Sequence, residues 1–210
     1  TTSIPSLFLI RESTITEPIS RVNNPSVCLI VQGEKDVWLG EESLRYSPGH
    51  YIVSSVALPV TGQVIKASSD SPYLAFKIEF TTKEILDILK EEVVQLQQKK
   101  RVRRGMYDSK AEASILDAAI RLARLLEKPQ HIPVLAPLVK KEILYWVLQG
   151  PKGDLLQQIA LEGSHIIRIK KVIEFILENF EKSFRIEDLA NIANMSPATF
   201  HRHFKEVTAM

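Results

Sequence analysis

Cysteine is nearly absent. Cys28 is the single one in 210 residues, which excludes a disulfide within the chain. It sits in the apolar run Val27-Cys28-Leu29-Ile30-Val31, where a buried, inert thiol is expected. An excess of charge of one sign is also lacking. Lys and Arg number 27 against 25 Asp and Glu, a net charge of +2. Any affinity for nucleic acid must therefore come from local placement of charge. No apolar run reaches the roughly 18 residues that cross a bilayer, so no transmembrane helix is expected. The opening Thr1-Thr2-Ser3-Ile4-Pro5 lacks the basic-then-apolar pattern of a secretory signal. It also lacks an initiator Met, so residues are expected to be missing before it. The cytoplasm is the expected compartment.

Clusters of reactive groups are lacking too. A metal site needs two or three His with a carboxylate converging on one spot. The strand-rich part holds only His50, with His131 far along the chain, and His201 and His203 diverge on a helix. No metal or other cofactor is expected. No Ser/His/Asp or Cys/His set, catalytic carboxylate pair or glycine-rich phosphate loop stands at a suggestive spacing, so an enzyme is not expected either.

What is present is ordinary for a globular protein. The chain is 45% hydrophobic and 25% charged, enough for one large or two modest domains. Residues 1–25 carry Pro5, Pro18 and Pro25 and read as a short arm or helix with an extended lead-in. From Ser26 short apolar runs alternate with turns. Strands are expected at Val27–Val31, Val37–Leu39, Leu44–Tyr46, Tyr51–Val53, Leu58–Val60, Gln63–Ala67 and Tyr73–Phe80. Turn chemistry at Gly33, Gly40 and Pro48-Gly49 separates them. Strands spaced about 8–12 residues apart argue a sandwich or small barrel.

At Thr81 the period becomes helical. Thr81 and Glu84 can form a capping box, followed by Ile85, Leu86, Leu89, Val93 and Leu96 on one face. Lys99 to Gly105 is a basic run that reads as a solvated loop or as a contact for DNA phosphates. Ser109 and Glu112 suggest a second capping box, opening a helix through Leu126. Pro129 and Pro133 bound a loop, and Leu138 to Val147 mark another helix that stops near Gly150-Pro151. Leu155 to Leu161 reads as a short helix. Ser164 then caps a longer one with Ile166, Ile169, Val172, Ile173, Ile176, Leu177 and Phe180 inward.

The stretch Ile186 to Lys205 has the grammar of a helix-turn-helix. Ala190 is small where two helices must approach closely. Asn194 stands where the turn needs a positive φ. Ser196 can cap the second helix and Pro197 suits its first position. Phe200 and Phe204 point inward, with His203 packing at their edge. The outward face holds Ala198, His201, Arg202 and Lys205, with Ser196 and Thr199 near the helix start. Arg202 can pair bidentately with guanine, and His201 can reach a base edge or phosphate. Ala198 offers an apolar contact, while Lys205 and Ser196 suit phosphate.

This text resembles the first helix-turn-helix of the AraC/XylS family of bacterial transcription regulators, in Ile186-Glu187-Asp188-Leu189-Ala190, Asn194-Met195-Ser196-Pro197 and Phe200-His201-Arg202-His203-Phe204-Lys205. Upstream, Ser26 to Gly33, Pro48 to Val53 and Leu58 to Gln63 resemble the cupin-like N-terminal domain of one AraC subgroup. The resemblance implies an α+β fold: a cupin-like β-barrel over 1–82, a helical dimerisation or linker region over 83–163, and a DNA-binding part over 164–210. It implies promoter DNA, a small-molecule effector, a second copy of the chain and RNA polymerase as partners. For the effector, Trp38, His50, Tyr51 and Phe76 are the candidate lining residues, or simply core.

The resemblance also marks departures. Family members carry two helix-turn-helix units, and this chain reaches Met210 just after the first, so weak operator binding is expected of this form. Arg185 stands where a Ser or Thr cap is usual, which weakens the cap by ~1 kcal/mol. A cupin-fold small-molecule or sugar-binding protein or enzyme with a helical tail is the alternative, and a protein-interaction module a third.

Overall fold

The computed structural model describes residues 2–91, 104–159 and 165–210. The strands are β1 (Leu7–Glu12), β2 (Ile19–Asn23), β3 (Ser26–Gln32), β4 (Glu34–Leu39), β5 (Glu42–Tyr46), β6 (His50–Ser54), β7 (Leu58–Lys66), β8 (Tyr73–Glu79) and β9 (Met106–Lys110). Helix α1 (Thr82–Glu91) separates β8 from β9. After β9 come α2 (Ala113–Arg124), α3 (Ile132–Gln149), α4 (Gly153–Gln157), α5 (His165–Glu178), α6 (Ile186–Ile192) and α7 (Pro197–Thr208). The class is α+β, with a cupin-like N-terminal barrel followed by helices.

Two antiparallel sheets make the barrel. The first has the order β1-β8-β3-β6-β9, the second β2-β7-β4-β5. Register fixes which side chains share a face, because cross-strand partners project to the same side. Leu29 is opposite both Tyr51 and Phe76. Cys28 is opposite Ile52 and Lys77. The Cys28 set faces the second sheet, where Lys35 acts on Cys28 and is itself acted on by Lys77 electrostatically. The Tyr51 and Phe76 set faces the helices. There Leu9, Leu29, Val31 and Phe76 line an apolar groove of about 460 Å³ with Leu116, Ala119, Ile120 and Ala123 of α2.

The first sheet is thus apolar on both faces. That explains why β3 (SVCLIVQ) reads as a nearly continuous hydrophobic run rather than an alternation. The β4–β5 hairpin turns at Gly40, whose φ of 57° is open to glycine at little cost. Leu39 and Glu42 close the ladder around it.

The capping box forms as expected: the Thr81 N–H donates to Glu84 at 2.8 Å, and the Glu84 N–H to the Thr81 hydroxyl at 3.2 Å. Other expectations are corrected. Residues 7–12 are a strand, not an arm or helix, and the extended lead-in holds a strand at 19–23. The two runs at Leu58–Val60 and Gln63–Ala67 join in one strand of nine residues that ends at Lys66. Ser109 caps nothing. It lies in β9 opposite Tyr51, and α2 starts at Ala113 with Glu112 making no side-chain cap bond. β9 therefore extends the first sheet with residues from beyond 82. Pro133 is not a loop boundary but part of the first turn of α3, where its missing N–H costs nothing. Val93, Leu96, Leu161, Ser164 and the basic run from Lys99 to Arg103 lie outside the described residues. Among the described residues no helix is long and apolar enough to cross a membrane.

Helix α2 joins the sheet to α3, and Leu122 is fully buried at that junction. Replacing Leu122 by Ala should lower the unfolding free energy by about 2–5 kcal/mol, the range for a core Leu truncated without collapse of the site. Urea denaturation followed by circular dichroism measures it; a cost under about 1 kcal/mol would mean the helix layer is not part of the cooperative core.

Candidate nucleic-acid interface

The last three helices build a compact unit. Ile166, Ile169, Val172 and Ile173 of α5 are buried and form its floor. Ala190 of α6 is 1% exposed, so only a residue this small lets α6 approach its neighbours. The turn after α6 is closed by the Met195 N–H donating to the Ala190 carbonyl at 3.0 Å. Asn194 takes the positive φ, 51°, and Arg168 of α5 donates to its carbonyl at 3.3 Å. Arg185, at the start of α6, gives no side-chain cap. Ser196 caps α7: its hydroxyl accepts from the Thr199 N–H and donates to the Thr199 hydroxyl at 2.9 Å.

On α7, Phe200 is buried and meets Phe204 with ring centroids 5.3 Å apart. Ser196, Ala198, His201, Arg202 and Lys205 are exposed and Thr199 is half-buried. The spacing of residues 198, 201, 202 and 205 puts them along one face of a 3.6-residue helix. The structure therefore brings together all six residues singled out for DNA, with Thr199 already engaged in the cap. His203 differs from the expectation of an edge position. It is 6% exposed and stacks on His165 of α5, with ring centroids 3.8 Å apart and planes 15° apart. Its Nδ1 lies 2.8 Å from Glu206, and Arg202 lies 3.3 Å from its Nε2.

The far end of α7 is held by the barrel. Arg104 uses its whole guanidinium fork. Its Nε donates to Glu42 of β5 at 2.7 Å and its Nη2 to the same carboxylate. Its Nη1 donates to the carbonyls of Lys205 and Glu206 at 2.7 and 2.9 Å. The Gly105 N–H donates to the Val207 carbonyl at 3.0 Å, while Ser55 binds the Gly105 carbonyl. Val207, Thr208 and Ala209 are buried in this contact. Gly40 makes it possible, since a Cβ there would lie 2.1 Å from the Ala209 carbonyl oxygen. A cavity of about 680 Å³ opens beside the joint, lined by Leu39, Leu44, Met106 and Leu155 together with Arg104, Lys152 and Glu206. Arg104 and Gly105 end the basic run read as a solvated loop or a contact for DNA phosphates, and the structure instead bonds them to Glu42 and to the end of α7. Arg104 is 101 positions from Lys205, and no local pattern encodes a contact that distant.

The effector candidates do not converge. Tyr51 and Phe76 face the helices. Tyr51 interacts with Ser109, and burial raises its phenol pKa. Trp38 shares the outer face of the second sheet with Asp36 and Arg45, opposite to buried Val37 and Leu39. His50 is on the inner face of β6, with a buried Nδ1 that has no partner among the described residues. Among the described residues no group of three His, Cys, Asp or Glu could hold a metal ion.

The family model for the AraC-type transcriptional regulator N-terminus matches residues 3–155. No curated protein matches the chain. Among solved structures, ToxT from Vibrio cholerae is 12% identical, with 97% of this chain and 94% of that one covered and a TM-score of 0.40. The AraC-like transcriptional activator CuxR is 10% identical over 96% of this chain and 71% of its own, with a TM-score of 0.36. The catabolite activator protein of Thermus thermophilus is 14% identical over 96% and 78%, with a TM-score of 0.24.

The imidazole stack makes the unit sensitive to acid. The His165 pKa lies below its ordinary 6.5, first through burial and then through His203, Arg168 and Arg202, with Glu206 opposing. A histidine with a lowered folded pKa contributes its stability above the unfolded value and loses it as pH falls below that value toward the folded one. The melting temperature should therefore fall between pH 7 and pH 5, and His165→Leu should flatten that part of the profile. An unchanged slope in the variant would remove His165 from the account.

Proposed function

This chain belongs to the AraC-type transcriptional regulators, and from that premise we propose that it is a sequence-specific DNA-binding regulator controlled by a small molecule in its N-terminal domain. The observation that carries the DNA reading is the exposed face of α7. Ala198, His201, Arg202 and Lys205 project from a helix whose inner face is fixed by Phe200 and His203. Arg202 is the residue suited to guanine O6 and N7. Lys205 and Ser196 suit phosphates, with the helix N-terminus adding its dipole. His201 is placed for a base edge or phosphate, Ala198 for a thymine methyl. The chain works as a binder and a switch, not as a catalyst.

Control follows from the joint. The end of α7 is bonded to Arg104 and Gly105 of the barrel. An effector that favours one arrangement of the barrel shifts how α7 is presented, by its difference in affinity for the two arrangements. A second copy of the chain is the partner for the helix layer. Val134 and Leu138 of α3 are 68% and 60% exposed, four residues apart on one face, an arrangement suited to helix pairing.

Arg202→Ala should cost about 1–3 kcal/mol of binding to sites selected from random DNA and relax preference at one base position. Lys205→Ala should weaken binding evenly across sequences and reduce the salt slope by about one. Titrations in gel shifts at several salt concentrations measure both; an Arg202→Ala protein with wild-type affinity and preference would take Arg202 out of the reading set. In sedimentation, the mass should rise with concentration, and Leu138→Glu should hold the chain at monomer mass. A monomer at every concentration would end the pairing proposal.

A further inference from the structure

We propose that His203 is a positioning residue for DNA reading: its imidazole, oriented by Glu206, holds the Arg202 guanidinium ready for a base edge. This rests on the reading of α7 as a DNA-recognition helix, and it adds a residue that touches no DNA to those that set specificity.

Position 203 belongs to the buried stripe of α7, with Phe200 and Val207. An apolar side chain would be enough to pack there. A buried imidazole must instead have its nitrogens satisfied, and both find partners on the same helix. Nε2 lies 3.3 Å from Nη2 of Arg202, and Nδ1 lies 2.8 Å from Oε2 of Glu206. These partners decide where the ring proton is. A guanidinium only donates, so Nε2 must accept. The proton then sits on Nδ1 and is donated to the carboxylate, which only accepts. The plane of the ring is fixed as well. His165 of α5 stacks on it with centroids 3.8 Å apart, and turning the ring would break that contact. Arg168, the other cation beside the stack, donates to the Asn194 carbonyl.

Arg202 keeps what it needs for reading. Its N–H groups form two forked edges that share Nη2. One bond from Nη2 to His203 leaves a complete two-toothed edge, the geometry that meets guanine O6 and N7. A long exposed side chain loses rotamer freedom when it binds. An arginine already held by Nε2 has lost part of that freedom beforehand. The support also runs back to the barrel. Glu206 lines the cavity of about 680 Å³ at the joint, and its backbone carbonyl accepts from Arg104. The reading guanidinium is therefore two hydrogen bonds away from a residue that the barrel holds.

The test uses the full chain labelled with ¹⁵N histidine, with His203→Gln to assign the resonance. Long-range ¹H–¹⁵N correlation at neutral pH should show the His203 proton on Nδ1 and a bare Nε2, and Arg202→Ala should shift Nε2. A proton on Nε2 overturns the proposal. The second arm measures gel shifts on sites selected from random DNA by the wild-type chain. His203→Met should lower discrimination at the base pair that Arg202 reads by about three- to tenfold, the scale of one hydrogen bond. The salt slope should stay as in wild type, because no phosphate contact is lost. His203→Gln should retain the discrimination, since its side-chain oxygen replaces Nε2 as acceptor. In an Arg202→Ala background, His203→Met should cost nothing further at that base pair. An equal loss in both backgrounds makes His203 packing alone and overturns its role. Should His203→Met melt far below wild type, Glu206→Ala replaces it, at a side chain 41% exposed. The same relaxation is expected there, and unchanged discrimination overturns the orientation by Glu206. The two readings fail separately. An Arg202→Ala chain with unchanged preference ends the DNA reading and the role of His203 with it; a wrong tautomer or an additive His203→Met ends only the latter.

Discussion

Double burial of the five-stranded sheet is the constraint on which the rest of the structure depends. One face meets the second sheet and the other meets the helices, so neither can be polar throughout. Burying such side chains is worth roughly 1.5–3 kcal/mol each, and Leu7, Val53, Ile78 and Leu122 are all fully buried. The helices cover part of the outer face, so the barrel and the helix layer share one core while Leu9 and Val31 stay more than half exposed. The inner face carries the exceptions, Cys28, Lys77 and Tyr73 facing Lys35 and Tyr46.

The division between what was legible and what was not follows sequence distance. Strands β3 to β8 could be read because turn residues such as Gly33, Gly40 and Gly49, all with positive φ, punctuate them. The Thr81 capping box could be read because it spans three residues. β1 and β2 could not: they pair with β8 and β7, partners that follow dozens of residues later, and prolines around them mimic an irregular arm. β9 was hidden by a false local signal, since Ser109 and Glu112 have capping-box spacing while Ser109 is satisfied by the sheet. Local chemistry proposed one structure there and the edge of β6 selected another.

The site shows the same split. The outward residues of α7 were legible because helical periodicity assigns them. The inward ones were legible only as apolar: Phe200 and Phe204 fit, but His203 found a stacking partner, His165, that periodicity cannot name. The four aromatic and histidine candidates for an effector were chosen by residue type, and register scatters them over different faces.

The joint at Arg104 has an electrical side. A helix carries partial positive charge at its first N–H groups and partial negative charge at its last carbonyls. In α7 the negative pole is occupied: the Lys205 and Glu206 carbonyls accept from a guanidinium and the Val207 carbonyl from Gly105. The positive pole, at exposed Ser196 and Pro197, stays open to solvent. The barrel thus turns a symmetric dipole into a one-ended one, and the helix meets any approaching polyanion with the pole that attracts it.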